Sequence, residues 1–249
     1  MREEWTISLG ATAERIAREY GITREAQDEF AAESQRRAAR AIAEGAFADE
    51  IIPVRLPRPH GDPSIVDTDE HPRPDVTREK LARLKPVFTT EPGGSVTAGN
   101  TSGINDGASA LLVVSQEVLD HRAGGAPPLA RVVTAAVAGV DPAVMGIGPV
   151  PATRKALARA GLTIDQIDLI ELNEAFAAQA LACMKELDLD PAKVNVYGGA
   201  IALGHALGSS GSRMLTTLVH ALRRQKKRYG LATMCVGVGQ GIAMIVEAT

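Results

Sequence analysis

Aromatic side chains are scarce in this sequence: four Phe, three Tyr and one Trp make up 3% of 249 residues. A site that stacks the bases of single-stranded nucleic acid needs more rings than that. Cysteine is scarcer still. Cys183 and Cys235, 52 positions apart, match neither a disulfide framework nor a zinc-site spacing. The expectation is therefore a reducing, cytoplasmic compartment with no metal. No run approaches about 18 apolar residues, so no membrane-spanning helix is expected. The start, Met-Arg-Glu-Glu-Trp, lacks the apolar stretch of a secretory signal. What is present, 45% apolar and 23% charged residues with a net charge of −3, is the composition of a globular chain.

The charges are unevenly placed. Residues 1–93 carry 14 Lys and Arg against 18 Asp and Glu, whereas the longer stretch 94–249 carries only 13 against 12. The charged fraction halves near Gly93-Gly94, which predicts a helix-rich, solvated first region and a tightly packed α/β second region. In the first, Thr12–Tyr20 reads as a helix stopped by Gly21. Thr23 reads as the N-cap of a long helix reaching Glu44. Six prolines between Ile51 and Pro74 exclude a regular helix there. Thr77 caps a short helix holding Leu81 and Leu84.

In the second region, strands are expected at Ser109–Ser115, Ala130–Gly139, Ile167–Leu172 and Val194–Tyr197. Helices are expected at Pro151–Ala160, Glu174–Leu187 and Gly211–Arg228. Leu231–Val236 and Ile242–Val246 read as a closing antiparallel hairpin. Such alternation indicates a layered α/β domain with a largely parallel sheet.

Four stretches could carry chemistry. Gly198-Gly199-Ala-Ile-Ala-Leu-Gly204-His205 leads into a helix, so its N–H groups could meet an anion or oxyanion. It lacks the Gly-Lys-Ser/Thr of a Walker loop. His205 reads either as a satisfied structural histidine or as a site residue. Cys235-Val-Gly237-Val-Gly239-Gln-Gly241 follows an apolar strand but fails as a dinucleotide fingerprint, because no βαβ unit can follow in the eight residues left. Cys235 reads as a small buried hydrophobe or as a thiol beside unobstructed backbone. Cys183 fits the inert reading. Asn173-Glu174-Ala-Phe176 sits at a strand-to-helix turn, where Asn173 would cap the helix and Glu174 complement its dipole. Thr97–Gly107 is a loop of small, hydrogen-bonding residues.

In this order, the four stretches resemble the signatures of the thiolase family, the acyl-CoA acetyltransferases. The opening Leu9–Ala17 and Ile22–Asp28 resemble that family's loop domain, and the whole chain is similar to the last two thirds of a thiolase. The resemblance implies a mixed sheet with helices plus a helix-rich loop domain. It divides the chain into a loop domain covering coenzyme A (1–93), a remnant of the N-terminal domain (94–120) and the C-terminal catalytic domain (121–249).

Coenzyme A thioesters would be the substrates, with no further cofactor. His205 would activate a nucleophilic thiol and contribute to an oxyanion hole. Asn173 would hold a water in that hole. Cys235 would move the α-carbon proton, and the Gly237 N–H would serve a second hole. Arg73, in Asp69-Glu-His-Pro-Arg73, would bind the nucleotide end of coenzyme A, and Ser102 would touch the pantetheine arm.

The family's acyl-accepting cysteine belongs to a part absent here, and neither Cys183 nor Cys235 occupies its motif. A partner chain supplying that part, or a homo-oligomer, is implied. Without it, Ala110–Val114 would lie unpaired, at about 1.5–3 kcal/mol of lost burial per large aliphatic, and as an aggregation-prone edge. Ala206 replaces a usual proline, Tyr197 an Asn and Val238 a Gly. Ser8-Leu9 stands where many members have His-Met, which leaves the acyl chain open. The rival expectations are a non-catalytic acyl-CoA-binding protein and a purely structural interaction module.

Overall fold

The computed structural model describes residues 7–90, 92–121 and 127–249. The Met-Arg-Glu-Glu-Trp start lies outside the described residues.

Helix α1 (Leu9–Tyr20) is capped by the Ser8 hydroxyl and stopped by Gly21 in the left-handed region, φ 66°. Helix α2 (Arg24–Ala43) starts where expected, with the Thr23 hydroxyl accepting from the Ala26 N–H. The proline-rich excursion contains a small antiparallel hairpin of β1 (Val54–Leu56) and β2 (Ser64–Val66). Thr77 caps α3 (Arg78–Ala82).

Residues 109–115 do not form the expected strand. They run as exposed, irregular chain into the short α4 (Gln116–Asp120), with Leu112 83% and Val113 76% exposed. A β-strand needs a neighbour for its backbone groups, and no described strand lies alongside.

The remaining residues build a layered α/β unit. Strand β3 (Ala130–Gly139) is followed by a 3-10 turn (Pro142–Ile147), α5 (Pro149–Ala160), a 3-10 turn (Ile164–Gln166) and β4 (Leu169–Leu172). Then come α6 (Ala177–Leu187), α7 (Ala200–Leu203), α8 (Ser210–Arg224), β5 (Tyr229–Val236) and β6 (Gln240–Ala248). The strand order is β3-β6-β5-β4. Only β4 and β5 pair parallel; β3–β6 and β5–β6 are antiparallel. The sheet is thus mixed, as the family resemblance implies, and not largely parallel. Hairpin β5–β6 inserts its second strand between β5 and β3, which leaves one parallel pair. Val194–Tyr197 contributes a single bridge, Val194 to Ile170, and no strand.

Alternation along the strands supplies two faces. Ile170, Leu172, Leu231 and Ile245 join α5, α6 and Ile16 of α1 in the main core. Leu169, Ala232 and Val246 face Leu218 and Leu222 of α8. Helices α1 and α2 pack on α6, and α2 also packs on α7. This brings the charged first region against the carboxyl end of β4, where open α/β sheets present ligand-facing residues.

Candidate active site

The site forms where β4, α7 and the 97–107 loop meet. Asn173 follows the last residue of β4, and its N–H donates to Thr233 O at 3.0 Å, continuing the parallel ladder. It is not a helix cap. Helix α6 begins only at Ala177, after Phe176, and no side chain caps it. The Asn173 side chain is buried and turned instead toward His205, with Nδ2 3.3 Å from Nε2. Its Oδ1 is buried without a hydrogen-bond partner among the described residues. Glu174 likewise turns away from the α6 N-terminus, toward the glycine loop.

His205 is held from three sides. Its N–H donates to Asn105 Oδ1 at 3.2 Å. Gly204, with φ 90°, leaves room for that amide: a Cβ there would sit 2.6 Å from Asn105 Oδ1. The ring Nδ1 lies 2.6 Å from Ser210 Oγ, and that hydroxyl donates its only proton to Ala206 O at 2.9 Å. Ser210 therefore accepts from Nδ1–H, and the lone pair of His205 is on Nε2, facing Asn173. Burial, followed by the charge of Arg213, holds the imidazole below its ordinary pKa. The unprotonated Nε2 of this neutral imidazole accepts from the Asn173 side-chain amide, 3.3 Å away.

Cys235 ends the apolar part of β5. It is buried among Val96, Met145, Ala175 and Phe176, and burial pushes its thiol up to about 12. Such a thiol gives up its proton only to a strong base, such as an enolate carbon. Cys183 is buried in the main core and donates to Gly146 O at 3.2 Å; burial pushes its thiol up as well.

Gly237 and Val238 form the exposed β5–β6 turn, with Val238 at φ 62°. Ser102 lies on the 97–107 loop, its N–H and hydroxyl both donating to Ala175 O, at 3.1 and 3.2 Å. Beside it, Ile104 is 98% exposed at the mouth of the site. Arg73 is exposed. Its N–H donates to Gln35 Oε1 at 2.8 Å, and Gln35 Nε2 donates to Ile201 O at 3.2 Å.

The structure thus brings His205 and Asn173 into contact, sets Cys235 and Ser102 on the flanking segments, and anchors Arg73 through Gln35 to α7. Among the described residues, no group of three or more His, Cys, Asp and Glu could hold a metal ion. Also among them, no helix is long and apolar enough to cross a membrane.

Sequence reasoning missed Ser210, Asn105 and His71, whose Nδ1 is 3.3 Å from Asn105 Nδ2. Each had a local trace without a role: Ser210 follows the histidine by five residues at the start of α8, Asn105 lies in the Thr97–Gly107 loop and His71 in Asp69–Arg73. The last two come from loops about 100 residues away or more.

The site is thus a neutral histidine, a buried asparagine and a buried thiol on a layered α/β unit. Residues 126–248 match the thiolase C-terminal domain and residues 3–117 the thiolase N-terminal domain. The chain belongs to the thiolase family. The N-terminal match is wider than the 94–120 segment that the sequence assigned to that domain, and with it the chain holds parts of both family domains.

The chain is 56% identical, over 95% of its length, to an acetyl-CoA acetyltransferase of Pseudomonas aeruginosa, covering 59% of that protein. It is 53% identical, over 96%, to a beta-ketoadipyl-CoA thiolase of Acinetobacter baylyi, again covering 59% of the relative. The crystal structure of the Bacillus anthracis acetyl-CoA acetyltransferase superposes with a TM-score of 0.93 at 48% identity, over 98% of this chain and 60% of that one. The chain thus spans about 60% of the length of the relatives it matches.

Proposed function

We propose that these residues form the coenzyme-binding and acid–base part of an acyl-CoA C-acyltransferase, which cleaves 3-ketoacyl-CoA by thiolysis or forms it by Claisen condensation. The observation that carries this reading is the neutral His205 with Nε2 unprotonated, oriented by Ser210 and paired with the Asn173 amide. In the thiolysis direction, His205 takes the proton of a nucleophilic thiol supplied from outside these 249 residues. The thiolate attacks the 3-keto carbonyl, and Asn173 holds a water at the developing oxyanion. The Cα–Cβ bond breaks, and the enolate of acetyl-CoA takes its proton from Cys235. Cys235 then deprotonates coenzyme A, whose sulfur collects the acyl group, and His205 returns the first proton. The Gly237 N–H steadies the enolate oxygen.

Arg73 and Ser102 contact the nucleotide end and the pantetheine arm. Residues 1–93 act as the loop domain over that ligand, 94–120 belong with the N-terminal domain, and 121–249 form the catalytic domain. Leu111–Val114, exposed at 42–83%, support a chain partner or oligomer that pairs with this segment. The compartment of this reading is the cytoplasm; the acyl chain is the variable part, since relatives are named for acetyl-CoA and for beta-ketoadipyl-CoA.

The test is co-expression with a segment bearing a Cys-x-Ser-Gly-like nucleophile motif. Thiolysis of acetoacetyl-CoA is expected, falling about 10²–10⁴-fold in His205→Ala. Activity that survives His205→Ala removes the mechanism. A pair that copurifies without thiolysis, while the chain binds coenzyme A and loses it in Ser102→Trp, makes this a non-catalytic acyl-CoA-binding protein.

A further inference from the structure

The chemistry above uses Asn173 and leaves its neighbour unexplained. Glu174 is a carboxylate only 1% exposed, and no ion pair reaches it among the described residues. Its hydrogen-bond partners are all donors. Asn195 Nδ2 gives to Oε1 at 2.7 Å; Ser34 Oγ and the Ile201 N–H give to Oε2 at 2.7 and 3.1 Å. Each donor is itself committed. Ser34 Oγ accepts the Gly199 N–H at 3.0 Å, and the Asn195 amide pairs with Leu172 N and O at 2.9 and 2.8 Å.

The three donors come from α2, from the loop after α6 and from α7. Gly199 is the residue that admits the carboxylate, because a Cβ there would stand 2.2 Å from Glu174 Cδ. Burial pushes the Glu174 carboxyl above its ordinary range, and the hydrogen bonds from Ser34, Asn195 and Ile201 pull it back, so the group is held by its geometry.

We infer that Glu174 is a positioning residue: its buried carboxyl group gathers residues 195–201 onto α2 and, through α7, sets His205 opposite Asn173. Its link to catalysis rests on the proposed role of His205; its structural part does not. An amide at 174 turns one acceptor into a donor, which faces either the Asn195 amide or the Ile201 N–H. The segment that ends at Gly204 then loses its fixed seat.

Glu174→Gln and Ser34→Ala test this in the full chain. The comparison is Glu171→Gln, which removes another buried carboxylate of β4 that bonds to Arg213 and not to the loop. Two readouts need no activity: amide hydrogen exchange over residues 195–204, and the ¹⁵N spectrum of the His205 imidazole, assigned with His205→Asn.

Glu174→Gln is expected to speed exchange at 199–204 at least tenfold over the rest of the chain. It should also replace the single Nδ1–H tautomer by a mixture, and move the imidazole pKa toward its ordinary value. Ser34→Ala should do the same to a smaller degree, and judges the case alone if Glu174→Gln does not fold. In the reconstituted pair, kcat should fall more than tenfold with KM within about threefold.

Local exchange and imidazole signals like those of the unmodified chain overturn the inference. So does faster exchange spread evenly over the chain as in Glu171→Gln. A pair that is inactive with the unmodified chain counts against the proposed function alone, and the two spectroscopic readouts still decide on Glu174.

Discussion

Two apolar stretches of similar character meet opposite fates in this molecule. Leu169-Ile-Glu-Leu172 is buried throughout, paired with β5 and covered on both faces. Leu111-Leu-Val-Val114 has the same kind of side chains and is exposed from end to end. The first stretch has α5, α6 and α8 for neighbours; the second has none among the described strands. A β-rich composition is a request for a partner, and only the first request is met within the chain. The edge strand β3, with exposed Val132 and Val137, and the hairpin β1–β2, whose residues are mostly exposed, belong to the unmet group.

The contrast is sharpest in a pair of truncations. Leu172→Ala, at a site 1% exposed, should cost about 2–5 kcal/mol in urea unfolding. Leu112→Ala, at 83% exposure, should stay within about 0.5 kcal/mol in the isolated chain. Once the partner that pairs with this segment is present, the second change should weaken association, as read by sedimentation. Equal costs in the isolated chain would mean that residues 111–114 are packed after all.

The packed region should also show itself in pH. Burial, together with the neighbouring Glu174 and Glu50 charges, pushes Glu171 up to about 7 despite Arg213 at 3.1 Å. A carboxyl whose folded pKa is raised stabilises the fold fully below its unfolded value near 4.5. That contribution is lost as pH rises to about 7, and amounts to roughly 3 kcal/mol for a shift of this size. His205, with its pKa held low, tilts the other way below its ordinary value of 6.5. Glu171→Gln should flatten the decline between pH 5 and 7 in thermal unfolding, whatever it does to the absolute stability. An unchanged slope would mean that Glu171 is ionised throughout.

Gly199→Ala comes next. Its methyl would press on the Glu174 carboxylate, and the expected loss is about 1–3 kcal/mol by denaturant titration. A neutral effect would show that the loop can retreat. The smallest change is a gain. Val238 is a β-branched residue at φ 62° on an exposed turn. Val238→Gly should raise stability by about 1 kcal/mol, since the left-handed conformation costs a side-chain-bearing residue about that much. A loss would mean that the valine side chain makes a compensating contact.

Features with a local cause were legible in the sequence. Thr23, Thr77 and Gly21 announced helix ends, because a cap needs only its own few residues. The closing hairpin was equally plain. Features that depend on distant neighbours were misread. Residues 109–115 look like a strand by composition, but a strand exists only beside another. Asn173 looks like an N-cap, yet β4 continues its ladder to that residue and pushes the start of α6 to Ala177. The sheet reads as parallel until β6 folds back between β5 and β3.

The candidate site divides in the same way. The order of the signatures, with Asn173, His205 and Cys235 in their glycine-flanked settings, was set by the chain itself, as was the family they mark. The unprotonated nitrogen on His205 was not. It depends on Ser210 passing its proton to Ala206 O, and on Asn105 reaching the His205 backbone across 100 residues. Nor was the seat of the buried carboxyl at 174, whose donors include Ser34, 140 residues earlier. Local sequence fixes where a backbone turns, since caps and glycines act within one turn. The protonation and aim of a buried side chain are decided by whichever donors and charges the tertiary fold brings within about 3 Å.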